Sequence, residues 1–267
     1  MVATDKVFAG SIPEIYDRLM VPMLFEPFAA DLARRVAARA PSDVLETAAG
    51  TGVLTRALAA VLPPATRIVA TDLNQPMLDL AARRQSAGAV TWQQADALSL
   101  GLPDTSFDVV ACQFGVMFFP DRVQGYREAR RVLRPQGRLL FSVWDSISVN
   151  QFTDVATSAL AEVFPDDPPR FMARTPHGYH DPQRLRDDVA AAGFADIRVE
   201  AVSRASSARD VAVALCQGTP LRTEIEARDA ARLEEATGHA TAALEQRFGR
   251  GPVEGRIRAL VVSAAPG

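Results

Sequence analysis

Long apolar runs are missing from this chain. None approaches the roughly 20 residues that a membrane-spanning helix needs, so insertion into a membrane is not expected. Cysteine is scarce: Cys112 and Cys216 are the only two. Both sit in apolar stretches without metal-ligand spacing, so they read as buried thiols rather than a disulfide or a metal site. Histidine is scarce too, with three in the chain, which leaves few side chains that titrate near neutral pH. An excess of positive charge is also absent. The net charge is −3, and no basic field points to nucleic acid or an anionic membrane. The opening MVATDKVFAG lacks the apolar core of a signal peptide. Together these features predict a reduced, cytoplasmic protein.

What is present is apolar substance in a regular order. Hydrophobic residues make up 48% of 267, enough for a sizeable core. Residues 11–40 carry a helical pattern that Pro22 and Pro27 should break. Short apolar runs then recur at Asp43–Glu46, Arg67–Thr71, Val90–Gln93, Phe107–Cys112 and Arg138–Val143. Helical stretches at Leu54–Val61, Gln75–Gln85 and Arg122–Val132 lie between most of them. This alternation predicts a parallel sheet with right-handed crossovers and helices on both faces. Runs this short and this apolar suit strands covered on both sides. Residues 146–182 read either as helices over the sheet's carboxyl edge or as a long surface connection. Leu185–Ala192 reads as a helix ending at Gly193, Ile197–Val202 as a sixth strand, Thr219–Arg247 as mostly helix and Arg256–Ser263 as a seventh strand. The expectation is one domain over 1–267. Its α/β core spans about 40–145, 181–204 and 255–265, under a helical cover from 1–30, 146–180 and 205–250.

The stretch VLETAAGTGVLTRALAA, residues 44–60, joins the first strand to a helix. Gly50 and Gly52 let the backbone bend and approach a ligand. The N–H groups opening the next helix favour an anion. About 20 residues further on, RIVATDLN places Asp72 at a strand end, where a carboxylate can accept both hydroxyls of a ribose. Two ligand classes remain: nicotinamide or flavin dinucleotides, and S-adenosylmethionine. The dinucleotide fingerprint wants a third glycine, and Thr55 stands in that place. Glu46 would repel a pyrophosphate but suits an ammonium and a sulfonium.

ETAAGTG resembles the first motif of class I S-adenosylmethionine-dependent methyltransferases, nearest to the type 11 branch grouped with ubiquinone and menaquinone C-methyltransferases. ATDLNQPMLDLAARR resembles the family's second motif. QQADALSLGLPDTSFDVVACQFGVMFFPD resembles the third and fourth, and REARRVLRPQGRLLFSVW the helix and fifth strand. The likeness covers about residues 40–145. Ala48 replaces the first glycine of many members, and Gln136 the usual glycine before the fifth strand. The resemblance implies a Rossmann-like, mostly parallel seven-stranded sheet and S-adenosylmethionine as cofactor, leaving as S-adenosylhomocysteine.

It also implies roles. Glu46 would face the methionine amine, and Ala48, Gly50 and Gly52 would pass close to the methionine part. Asp72 would take the ribose hydroxyls, and Leu73 and Met77 would pack on adenine. Asp96 and the Ala97 N–H would read the adenine edge. Gln113 and Phe114 would border the methionine part and the methyl group. Tyr16, in a Tyr-Asp pair like that of some relatives, would fold over the cofactor. A proton acceptor, if the reaction needs one, would come from His177, His180 or Tyr16; His239 reads as surface. No third ligand accompanies His177 and His180, so no metal is expected. The methyl acceptor would be an apolar or aromatic small molecule among Phe8, Met20, Met23, Phe25, Met117, Phe118, Phe152, Phe171 and Met172. Residues 205–250 either cover that site or pack against a second subunit in a homodimer. Two rival functions stand beside this one: a nicotinamide-dependent oxidoreductase, and a binding protein without turnover.

Overall fold

A computed structural model describes residues 5, 8, 10–85, 90–208, 210–251 and 253–267, excepting the side chains of 207, 208 and 253. The rest of the N-terminal segment expected in the cover lies outside the described residues. Seven strands form one sheet: β1 (Asp43–Glu46), β2 (Arg67–Asp72), β3 (Val90–Gln94), β4 (Phe107–Gln113), β5 (Leu133–Trp144), β6 (Phe194–Ala208) and β7 (Val253–Pro266). Their order is β3-β2-β1-β4-β5-β7-β6. Strands β1 to β5 run parallel, and β7 is antiparallel to both neighbours. Every residue of β2 after Arg67 is buried, and so is all of β4 except Asp108. Successive side chains point to opposite faces, so both faces of the central sheet are covered, which is why these strands read as unbroken apolar runs.

The amino ends are held by charge. Arg134 reaches Asp43 at 2.7 Å and Asp108 at 2.6 Å. The carboxyl ends carry something different. Glu46, Asp72 and Gln113 are the last residues of β1, β2 and β4, which are neighbours around the point where strand order reverses. An open α/β sheet forms its ligand crevice at such a point.

Three departures from the expected elements have physical reasons. Pro22 does not break the N-terminal helix. Ile12–Ile15 and Glu26–Ala37 are α-helical, and Tyr16–Phe25 between them is a π-helix containing Pro22. The helix is π-type around Pro22, whose missing N–H and ring clash disrupt an α-helical interior, and Pro27 sits in the first turn of the next helix, where it is tolerated. Strand β5 starts at Leu133, not Arg138. Leu133 pairs with Phe107, and a register shift follows before Val109 pairs with Arg138, so the irregular stretch that holds Gln136 lies inside β5 rather than before it. Strands β6 and β7 are far longer than expected, and their pairing runs from Phe194↔Pro266 to Ala208↔Val253. Alternation with polar residues hid their ends.

The segment after Trp144 forms helices, not a surface connection. Gln151–Val163 packs on Leu233–Phe248, which also packs on Val211–Gln217. No described helix is long and apolar enough to cross a membrane.

Candidate active site

The loop after β1 is built by conformations that few side chains adopt. Ala48 has φ +52°, Gly50 +55° and Gly52 +79°. The Gly50 N–H donates to Asp72 Oδ2 at 2.9 Å, and the Asn74 N–H donates to Oδ1 at 2.8 Å. One buried carboxylate thus ties the β1 and β2 loops together. Arg56 holds the same loop by donating to the Thr51 carbonyl at 2.7 Å. Gly52 does not reach the cavity. It opens the helix Val53–Val61, and a Cβ there would stand 2.8 Å from the Trp92 ring. It is glycine for packing as well as for conformation.

Around this loop lies a cavity open to solvent. It gathers Tyr16, Glu46, Ala48, Gly50, Asp72, Leu73, Met77, Asp96, Ala97, Gln113 and Phe114. Every residue proposed for the cofactor lines it except Gly52. Met77 is buried, whereas Leu73 is 40% exposed at the rim. Asp96 is exposed, and its Oδ1 accepts the Leu98 N–H at 2.9 Å, so it also shapes its own turn.

The electrostatics of the site are set by burial of its carboxyls. Burial pushes the Glu46 carboxyl up to about 8, and neighbouring Asp72 adds to this against a 2.6 Å hydrogen bond from Thr55. Asp72 is raised as well, again chiefly by burial. Two side-chain atoms here are buried without a hydrogen bond: Gln113 Oε1 and Thr51 Oγ1. Gln113 spends its Nε2 on the Phe25 carbonyl at 2.8 Å, which leaves an acceptor toward the cavity. Thr51, beside the start of the helix Val53–Val61, offers a donor. Acceptors for a cation, a hydroxyl donor next to helix N–H groups, and a strand-end carboxylate together suit the zwitterionic methionine part and ribose of S-adenosylmethionine.

A second cavity abuts the first. Phe8, Tyr16, Phe25, Phe114 and Phe118 line both. Phe114, at φ +54°, stacks on Trp144 with ring centroids 3.9 Å apart and planes at 7°. Tyr16 stacks on Phe25 at 5.0 Å, and burial holds its phenol far above the usual range, with Asp72 and Asp17 adding to that. Met20, Phe171 and Met172 line the second cavity as expected, but Met23, Met117 and Phe152 do not. Those three belong to the core, and Phe152 is closed in by Gly255 and Phe248. His177 lines the second cavity; His180 lines neither. His239 is exposed and pairs with Glu162 at 2.9 Å.

Sequence reasoning missed several members. Asn74 braces Asp72. Trp144 backs Phe114. Leu215 and Thr219, from the 205–250 segment expected either to cover the site or to pack on a second subunit, close the second cavity. Gly115 lets the β4 loop lie against Ala48 and Cys112, because a Cβ there would collide with both. The Gly-Thr-Gly setting of Thr51 and the Phe-Gly pair after Gln113 were the available signals.

Comparison with known proteins agrees with this geometry. Residues 45–141 match a family model described as a methyltransferase domain. The chain is 38% identical over 144 residues to a demethylmenaquinone methyltransferase of Deinococcus radiodurans, covering 52% of this chain and 58% of that protein. It is 30% identical over 173 residues to a ubiquinone/menaquinone biosynthesis C-methyltransferase of Saccharophagus degradans, covering 60% of this chain and 70% of that one. The first relatives are thus matched over only 43–58% of their length. Among solved structures, the YcgJ protein of Bacillus subtilis superposes with a TM-score of 0.58 at 19% identity, over 90% of this chain and 98% of that one, a likeness of fold. Motifs, strand order and relatives agree: the chain belongs to the type 11 family of class I S-adenosylmethionine-dependent methyltransferases.

Proposed function

We propose that this chain transfers a methyl group from S-adenosylmethionine, bound in the first cavity, to a small apolar ring compound bound in the second. The observation that carries the reading is the shared aromatic wall. Phe8, Tyr16, Phe25, Phe114 and Phe118 face both cavities, so occupants of the two meet edge to edge. When bound, the cofactor supplies a methyl already activated on a sulfonium. The protein then has to align the partners and exclude water.

Glu46 and Gln113 Oε1 would face the cationic end, Thr51 the carboxylate and Asp72 the ribose. Met77 and Leu73 would flank the adenine, with Asp96 and the Ala97 N–H at its edge. Tyr16 would cover the methionine end. The second cavity is lined mostly by aromatic and aliphatic side chains, with few polar groups. That favours a ring compound over a sugar or a free amino acid. Two of the relatives are named for demethylmenaquinone and for ubiquinone/menaquinone biosynthesis, and quinones are ring compounds. The buried free thiols suit a reduced, cytoplasmic setting.

The test is label transfer from methyl-tritiated S-adenosylmethionine to hydroquinones, phenols and aromatic amines, with S-adenosylhomocysteine measured alongside. Label in an organic-soluble product supports the proposal. Cofactor binding without transfer to any acceptor favours the rival binding protein. Quenching of NADH fluorescence at micromolar protein would favour the oxidoreductase.

A further inference from the structure

The second cavity is apolar but not featureless. Among the described residues, the titratable side chains that line it are Tyr16 and His177. Tyr16 stays protonated across the working range, so it can donate but not take a proton. The other polar groups are committed or lack basicity. Asn150 Nδ2 donates to the carbonyls of Asp145 and Ser146 at 3.1 and 3.0 Å, and the Thr219 hydroxyl donates to the Leu215 carbonyl at 2.8 Å. Among the described residues, His177 is the side chain that can take a proton released in this cavity.

His177 is held for that purpose. It is 5% exposed, with its ring centroid 6.1 Å from that of Trp144. Its Nδ1 lies 2.7 Å from the Asp145 carbonyl oxygen. A carbonyl only accepts, so Nδ1 carries the hydrogen, and Nε2 of the neutral ring carries the lone pair. The Asp145 backbone is itself fixed. Its carboxylate pairs with Arg258 at 2.7 Å and accepts the Ser146 N–H at 2.6 Å. The remaining titratable neighbour is His180, whose Nδ1 donates to the His177 carbonyl at 2.6 Å.

We propose that His177 Nε2 accepts the proton of the methyl acceptor's hydroxyl, and that the second cavity therefore takes hydroxylated arenes of the phenol or hydroquinone class. This rests on the methyl-transfer reading above. The acceptor's lone pair forms the new bond to the methyl carbon. The methyl–sulfur bonding pair stays on sulfur, and the O–H proton passes to Nε2. If the nucleophile is the ring carbon beside the hydroxyl, that carbon's hydrogen leaves afterwards as the ring regains aromaticity and the oxygen is reprotonated. One proton is released overall in either case. Burial lowers the His177 pKa to about 4, so the ring is neutral at pH 7. A base this weak does not ionise a resting phenol. As the lone pair engages the methyl, however, the O–H becomes that of an oxonium, a far stronger acid than an imidazolium, and the proton moves with bond formation. The positive charge passes from sulfonium to imidazolium, so the cavity gains no extra charge.

The experiment uses the full chain saturated with S-adenosylhomocysteine, with 2-naphthol as probe. Nitrogen-15 NMR of only three histidines reads the His177 tautomer. The expected result is a bare Nε2 whose resonance moves with 2-naphthol and not with 2-methoxynaphthalene. A protonated Nε2, or no response or binding by 2-naphthol, overturns the assignment. Turnover of 2-naphthol with S-adenosylmethionine is the second readout. The wild-type rate should be flat from about pH 6 to 9. His177→Gln should be about 100- to 1,000-fold slower at pH 7 and climb with the phenolate fraction toward the phenol's own pKa near 10. A wild-type rate that itself climbs tenfold per pH unit, or an unimpaired variant, contradicts the proposal. The NMR arm does not depend on the variant folding. Loss of cofactor binding by the wild type would sink the methyl-transfer reading. Methylation of amines alone, with His177 silent, would sink only this inference.

Discussion

Gly115→Ala tests how the two halves of the cofactor cavity meet. Gly115 has φ −104°, which alanine tolerates, so the substitution carries no backbone penalty. The penalty is spatial. A Cβ there would stand 2.7 Å from Cys112 Sγ and closer still to Ala48 Cβ. Ordinary contact needs about 3.5–4.0 Å, so the loop after β1 must retreat by roughly 1 Å. Cys112 is 1% exposed and the sheet below it is packed, so the retreat falls on Ala48 and Gly50, which line the cavity. Overpacking of this kind costs about 1–3 kcal/mol. Displaced cavity groups should weaken S-adenosylhomocysteine by roughly 5- to 150-fold, at about 1.4 kcal/mol per factor of ten. Isothermal titration reads the affinity, and thermal melting shows whether the variant folds. Adding Ala48→Gly removes one of the two colliding atoms and relaxes a left-handed alanine. The double variant should recover part of the loss, with a coupling near 1 kcal/mol in a double-mutant cycle. A Gly115→Ala protein that binds as tightly as wild type would refute the close approach of these loops.

Glu46 predicts a pH dependence. Its carboxyl is raised in the folded protein from 4.5 to about 8, mainly by burial. Stability is therefore fully present below the unfolded value and lost as pH rises through about 8, at up to about 1.4 kcal/mol per pH unit in that window. Ligand-free protein should melt lower at pH 8.5 than at pH 5.5, and Glu46→Gln should flatten the difference; an unchanged slope would contradict the assignment. Phe114→Ala removes a buried ring stacked on Trp144. It should cost about 3–5 kcal/mol, a fall in Tm on the order of 10 °C, measured by circular dichroism. A fall of a degree or two would mean that the aromatic wall is not packed.

The parts legible in the sequence share a cause. Strands β1, β2 and β4 are buried on both faces, so their apolar runs stand out, and strand-end placement of Glu46 and Asp72 follows from counting to the end of each run. The acceptor side was less legible. Phe152 and Phe171 look alike in sequence, yet only Phe171 lines the cavity. Aromatic residues serve core and pocket equally well, and tertiary packing alone sorts them. Leu215 and Thr219 arrive from a helical segment whose place over the sheet no local pattern encodes. Gly115 was missed because its need is spatial and not conformational. Pro22 misled because the helix continues through it in π form rather than ending there.

The proposed cofactor site rests on the strand-end carboxylate Asp72 and the glycine loop holding S-adenosylmethionine together. Titration of the purified chain with S-adenosylmethionine and S-adenosylhomocysteine, with Asp72→Ala alongside and its fold checked by circular dichroism, tests it most directly. The wild type should bind at micromolar concentration and the folded variant about a hundredfold more weakly, since the Gly50 and Asn74 N–H groups lose their acceptor together with the ribose. A folded wild-type protein that binds neither ligand, or an Asp72→Ala protein that binds as tightly, would contradict it.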